Sequence, residues 1–350
     1  MRLYLACLLL LTQTATASDW QCASGGTVEL DAGKDDDDRA EASGVVVDPD
    51  EERLYIVSNE ALKHDGRWYA IQEFRREREN RYRITRDLEL FEAGKENCPQ
   101  SDFEALTRNG DDFFAVTSHS VDRAKQRKNE SPKENEHRLT RANIRTCDTR
   151  SQLIKFTIGS GDRVEIKQRT SLRDFIDANA VLSPFVGLPN KENGVDIEGL
   201  AATDDALFVG FRGPVLRENF VPVLRLSKDL DRENVMNAKV LFVTLDGRGI
   251  RDLAPADNGL YVLAGPNGDE EQSFRIYAWN TRTQVAGNGE EAGSAERLCD
   301  LGYHPKNKLL SKPEGLTLLS RNGDELRFLV VFDGKKRPTA EIWDVRRTDK

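Results

Sequence analysis

The apolar positions of this chain fall in short paired runs, not at helical spacing. Five segments read alike when stacked: EASGVVVDPDEERLYIVSNE from Glu41, DFEALTRNGDDFFAVTSHS from Asp102, DIEGLAATDDALFVGFRGP from Asp196, IRDLAPADNGLYVLAGPNG from Ile250 and PEGLTLLSRNGDELRFLVVFDG from Pro313. Each is an apolar run, a turn and a second apolar run. The turns carry Asp48-Pro-Asp, Asn109-Gly-Asp, Asp204-Asp, Asp257-Asn-Gly and Asn322-Gly-Asp. Such residues supply the positive φ that tight hairpins need. The second runs, such as Phe113-Phe-Ala-Val and Leu207-Phe-Val-Gly, are aromatic and β-branched without alternation, which predicts strands buried on both faces.

With Ser43, Glu104, Glu198, Arg251 and Glu314 as equivalent positions, the intervals are 61, 94, 53 and 63 residues. The long interval contains His119 to Arg150, a charged stretch of 32 residues without strand pattern; without it, 62 residues remain. Each unit has room for two further strands, for example Phe220 to Leu226 and Lys239 to Val243. Four strands per unit, repeated around a centre, predict an all-β propeller of five four-stranded blades, with six as the alternative. The last unit, Pro313 to Lys350, holds only three strands. Thr27 to Leu30 is expected to supply its fourth and close the ring. Two stacked β-sandwiches are the competing architecture, which the near-equal repeats disfavour.

Arg2, the apolar run Leu3 to Leu11 and Ala15-Thr-Ala read as a signal peptide over residues 1–17, followed by one propeller domain over 18–350. No later run is apolar for long enough to span a bilayer. Without the leader, which carries Arg2 and Cys7, 50 basic residues face 60 acidic ones, a net charge of −10, and four cysteines remain. So acidic a surface is poorly suited to nucleic acid. The expected location is periplasmic or extracellular, and the expected state a monomer.

Val195-Asp-Ile-Glu-Gly-Leu-Ala, Leu207-Phe-Val-Gly-Phe-Arg-Gly-Pro, Ser118-His119-Ser120 and Lys312-Pro-Glu-Gly-Leu together resemble a bacterial exported family called domain of unknown function 3616. The resemblance covers nearly the whole mature chain. The Glu-Gly-Leu hairpin by itself also resembles the phytase-like esterase propellers. The resemblance implies a propeller-like fold and supplies no catalytic residues.

In an antiparallel hairpin, the start of the first strand lies beside the end of the second. One face of the ring therefore collects Glu104, Asp196, Glu198, Arg251 and Glu314 from strand starts, and Asn59, His119, Arg212, Asn267 and Asp333 from strand ends. Converging loops of a repeat ring form the default ligand site. Glu104, Glu198 and Glu314, with His119 near, have the oxygen chemistry to hold a divalent cation such as calcium, with Glu198 and His119 as the catalytic candidates. Arg212 would then suit an anionic group. In the structural reading, the three glutamates share a strand face with Leu106, Leu200 and Leu316 and staple neighbouring blades through backbone N–H groups. Arg251 is then an ion-pair partner, and His119 a hydrogen-bonded core residue.

The insertion at 119–150 holds nine basic and five acidic residues. It reads either as an anion-attracting rim or as a solvated loop. Two disulfides are expected, Cys98 to Cys147 at its base and Cys22 to Cys299 joining the closing strand to unit four. Function then divides between a propeller that binds a small molecule, glycan or envelope protein on its polar face, and a metal-assisted hydrolase of phosphate esters or lactones.

Overall fold

The computed structural model describes residues 19–32, 42–64, 67–90, 102–287, 292–302, 312–333 and 339–348. Residues 1–17, expected as a leader, and Cys98, with its expected bridge to Cys147, lie outside the described residues.

Five hairpin units form five four-stranded blades. A first strand, β1 (Trp20–Asp31), precedes blade one, which is β2 (Ala42–Val47), β3 (Arg53–His64), β4 (Arg67–Arg78) and β5 (Arg81–Leu88). Blade two begins with β6 (Phe103–Asn109) and β7 (Asp112–Thr117). It resumes, after a ribbon of β8 (Asp122–Arg123) and β9 (Ile144–Arg145), with β10 (Leu153–Thr157) and β11 (Glu165–Thr170). Blade three is β12 (Asp196–Ala202), β13 (Leu207–Gly213), β14 (Phe220–Leu226) and β15 (Lys239–Thr244). Blade four is β16 (Gly249–Ala256), β17 (Gly259–Gly265), β18 (Phe274–Trp279) and β19 (Ala295–Gly302). Blade five has β20 (Lys312–Asn322), β21 (Glu325–Asp333) and β22 (Thr339–Arg347).

Within each blade the strands pair in chain order, and the first strands touch around an axis: β2 on β6, β6 on β12, β12 on β16, β16 on β20, and β20 back on β2. The core is divided accordingly into five apolar clusters, one at each blade interface. Strand alternation distributes the side chains between them. In β13, Val209 packs toward blade two and Phe208 toward blade four. This is why the second apolar runs lack polar positions: every residue of β13 is buried.

The closing strand is longer than Thr27 to Leu30. Residues Trp20 to Val28 of β1 run antiparallel to β22, from Trp20 opposite Arg347 to Val28 opposite Ala340. Glu29 to Asp31 then pair parallel with Arg81 to Arg83 of β5. Because both edges of β1 are bonded, blades one and five run together as one eight-stranded sheet. A bulge between Ser24 and Gly26 interrupts its pairing with β22. It needs glycine: Gly26 has φ +112°, and a Cβ on Gly25 would come within 2.6 Å of the Asp344 carboxylate. Cys22 and Cys299 are joined, tying β1 to blade four.

The insertion is more ordered than its charge pattern predicts. Besides the β8–β9 ribbon it holds α1 (Pro132–Arg138), which starts at a capping box: Glu134 N–H donates to the Ser131 hydroxyl, and the Glu134 side chain accepts the Ser131 N–H. Ser-Pro-Lys-Glu is a legible helix start that the charge count obscured. A second connection, containing α2 (Arg173–Ala178), leads into blade three. Arg81 of β5 pairs with Glu29 of β1 and with Glu77 of β4.

Candidate functional site

The five equivalent positions share one local geometry, a β-bulge in the first strand of every blade. In β2, Ala42 faces Ser58 and Gly44 faces Val57, leaving Ser43 as the extra residue. By the same register, Glu104 is extra in β6, Glu198 in β12, Arg251 in β16 and Glu314 in β20. A bulge breaks the two-residue alternation and re-aims the side chain it carries. The expectation that these glutamates lie on the strand face of Leu106, Leu200 and Leu316 therefore fails. Those leucines enter the blade interfaces, whereas all five bulge residues line one axial cavity of about 340 Å³.

The stapling role falls to other side chains. Asp252 accepts the Leu316 N–H of blade five at 2.7 Å and the Leu253 N–H at 2.8 Å. Thr107 of blade two accepts the Ala202 N–H of blade three. Burial nonetheless pushes Asp252 well above the usual carboxylate range.

Two buried arginines organise the cavity. Arg212 is itself the extra residue of a bulge, between Phe211 and Gly213 of β13. Its Nη1 donates to Glu198 Oε1 at 2.8 Å, its Nε to the Pro266 carbonyl and its Nη2 to the Gly268 carbonyl. Arg251 Nε lies 2.9 Å from Glu198 Oε2, and Arg251 Nη2 donates to Glu314. Burial works against the Arg251 charge, but Glu198 and Glu314 outweigh it and hold the guanidinium firmly protonated. Arg251 is thus the internal ion-pair partner of two glutamates.

Blades two and three repeat a further feature, an aspartate two residues before the bulge glutamate. Asp196 is 1 % exposed, lies 3.6 Å from Arg212 Nη1, and has no hydrogen bond to either carboxylate oxygen among the described residues. Asp102 is faced by Arg150 at 3.5 Å and accepts from the Ser118 hydroxyl. Glu104 has no ion pair or hydrogen bond among the described residues. Burial, together with Asp102, Glu198, Asp196 and Glu314, pushes its carboxyl well above the usual range. Asp196 is pushed the same way by burial and Glu198.

Of the residues expected at the site, Asn59, Glu104, Glu198, Arg212, Arg251, Glu314 and Asp333 line the cavity. Asp196 stands behind it against Arg212. Asn267 is turned aside, its Nδ2 donating to Asn193 Oδ1 at 2.6 Å. His119 is not presented as ligand or base. It is 1 % exposed with φ 53°; Nε2 accepts the Leu172 N–H, so Nδ1 carries the proton and donates to the Thr117 carbonyl. Burial lowers its pKa to about 4. Asp102 and Lys191 line the cavity without having been singled out. The repeated Asp-x-Glu of 102–104 and 196–198 was the available signal for Asp102; Lys191 comes from a connection and had none. Lys191 reaches Asp269 across the mouth.

The expected cation set does not assemble as written. Arg251 lies against both Glu198 and Glu314, and a fixed positive charge there opposes a divalent ion. Among the described residues, no group of three or more His, Cys, Asp or Glu side chains is arranged to hold a metal. Nor is any described helix long and apolar enough to cross a membrane.

Ring topology, interface cores and an axial cavity built from bulges define a five-bladed β-propeller with a charged central pocket. The chain belongs to the family described as "Protein of unknown function (DUF3616)", which it matches over residues 41–168 and 160–342. No curated protein matches it. Among solved structures it is similar to an exo-β-1,3-galactanase from Phanerochaete chrysosporium, at 10 % identity and TM-score 0.44, over 92 % of this chain and 63 % of that one. The chain therefore spans less than two thirds of that enzyme's length. It is similar also to MPT-4, a mannose phosphorylase from Leishmania mexicana, at 12 % identity and TM-score 0.44, over 92 % and 88 % of the two chains. The WD40 repeats of RRP9 match at 10 % identity and TM-score 0.40, over 93 % and 100 %.

Proposed function

We propose that this protein is an exported, single-domain propeller that binds a small polar molecule in its axial cavity. The observation that carries the reading is the repeated bulge: five blades each turn one side chain, Ser43, Glu104, Glu198, Arg251 or Glu314, into the same cavity. Stability alone does not call for such an arrangement. It buries charges that would be solvated on the rim, and replacing buried ion pairs by apolar groups is often neutral or stabilising. Export is supported by the apolar leader and by the Cys22 to Cys299 disulfide, a bond of oxidising compartments.

Binding is favoured over hydrolysis because, of the groups a metal-assisted reaction would recruit, all but Glu104 are committed elsewhere, Glu198 and Glu314 to Arg251 and both His119 nitrogens to backbone. A thermal-shift screen of polar small molecules tests the reading. Ligands should raise the melting temperature of the wild type and not of Ser43→Phe, which fills the cavity. Equal shifts in both proteins would place the ligand elsewhere and overturn the proposal.

A further inference from the structure

We propose that the ligand is a protonated amine, its ammonium seated beside Glu104 and Ser43 on the blade-one and blade-two side of the axial cavity. This rests on the reading of the cavity as a ligand seat and names what the seat is built to take.

The inference follows from comparing donors with acceptors around the cavity. Every cation lining it is already engaged. Arg212 spends its guanidinium on Glu198 and two carbonyls, and Arg251 lies between Glu198 and Glu314. Lys191 pairs with Asp269, and Lys312 lies 3.6 Å from Asp333. These contacts all lie in blades three to five or their connections, so the cations of the cavity are gathered on that side, each against a carboxylate there.

The opposite side differs. Its bulge residues are Ser43, neutral, and Glu104, which faces no cation in hydrogen-bonding or ion-pairing reach among the described residues. Ser43 is 3 % exposed and lines the cavity, with no hydrogen bond from its hydroxyl among the described residues. Asn59 lines the same side, and its Oδ1 has no partner there either. The corner therefore offers a carboxyl, a hydroxyl and an amide oxygen, all able to accept, and among the described residues its one N–H donor group is the uncharged Asn59 amide. An anion would meet Asp102 and Glu104. A neutral polyol would bring donors but leave the acidic excess uncompensated. An ammonium brings three donors and the missing charge. Its arrival favours the ionised form of Glu104, so binding should release a proton, since burial and neighbouring carboxylates hold that carboxyl toward its neutral form.

Calorimetric titration of the full protein at neutral pH tests this with matched pairs: putrescine beside butanediol, and glucosamine beside glucose. The amine of at least one pair should bind, with its uncharged counterpart at least about tenfold weaker, the scale of one charged hydrogen bond. Its heat should depend on the buffer's ionisation enthalpy, as proton release requires. In Glu104→Gln the amine should lose that advantage while the circular dichroism spectrum stays unchanged.

Counterparts that bind as tightly as the amines would sink the cation inference. If that binding were lost in Ser43→Phe, the cavity would remain a ligand seat. Amine binding unaffected by Glu104→Gln would sink it as well. If no amine binds while the thermal-shift screen finds another cavity ligand, the ammonium is wrong and the seat right; if neither binds, both readings fall.

Discussion

Arg212 Nη1 and Glu198 Oε1 meet at 2.8 Å, and each is the extra residue of a bulge in adjacent strands of blade three. The two bulges push both side chains toward the axis, where Glu198 has a second cation in Arg251 and Arg212 also faces the buried Asp196. Arg212→Met should therefore cost about 3–5 kcal/mol, the penalty for stranding a buried charge. Arg212→Met combined with Glu198→Met should recover part of that loss, since Asp196 still lacks the guanidinium that faces it. Urea unfolding of the two variants checks this, and an additive double variant would refute the coupling.

The bulges also bring backbones together. A Cβ on Gly44 would lie 2.9 Å from the Ala105 Cα and the Leu106 N of blade two, while one on Gly159 would meet nothing within 4 Å. Gly44→Ala is expected to lower stability by about 1–3 kcal/mol through overpacking. Gly159→Ala, as control, should leave the denaturation midpoint unchanged.

His119 and Glu104 give opposite pH signatures. The folded pKa of His119 is depressed to about 4, below an unfolded value near 6.5. The unfolded chain thus binds more protons in that window, and stability is lost as pH falls from about 6.5 toward 4, by up to about 3 kcal/mol. His119→Asn, a residue that tolerates the positive φ, should flatten this slope in urea melts taken across the window.

For Glu104 the folded pKa is raised, so the unfolded chain ionises first and stability is lost as pH rises above the ordinary glutamate range of about 4.5. Glu104→Gln should match the wild type at acid pH and exceed it increasingly toward neutrality. A variant less stable than wild type at neutral pH would show that this carboxyl is favourably paired.

The Cys22 to Cys299 bridge spans 277 residues and holds the strand that closes the ring. Loop-closure entropy assigns it about 5 kcal/mol. Cys22→Ser with Cys299→Ser should lose stability on that scale, and hydrogen exchange should quicken first in β1 and β22, whose antiparallel pairing the bridge secures.

The sequence by itself determined the hairpins, narrowed the blade number to five or six, and marked part of the closing strand without its bounds or its second partner. Turn residues act within four positions and apolar runs within one strand, so Asn109-Gly-Asp followed by Phe113-Phe-Ala-Val is legible without its neighbours. Stacking the copies also exposed Ser43, Glu104, Glu198, Arg251 and Glu314 as equivalent.

Where those side chains point was decided only in three dimensions. One extra residue in a strand reverses the parity of all that follow, and a bulge is a matter of register against a partner strand. The alternation that aimed Glu198 with Leu200 into a blade interface therefore misdirected it. Partner choice was equally hidden. Arg251 meets Glu198 and Glu314, 53 and 63 positions away in the chain, because a closed ring makes neighbours of its inner strands. His119 was taken from the cavity by the Leu172 N–H, a contact set by the fold of a connection with no periodic pattern to announce it.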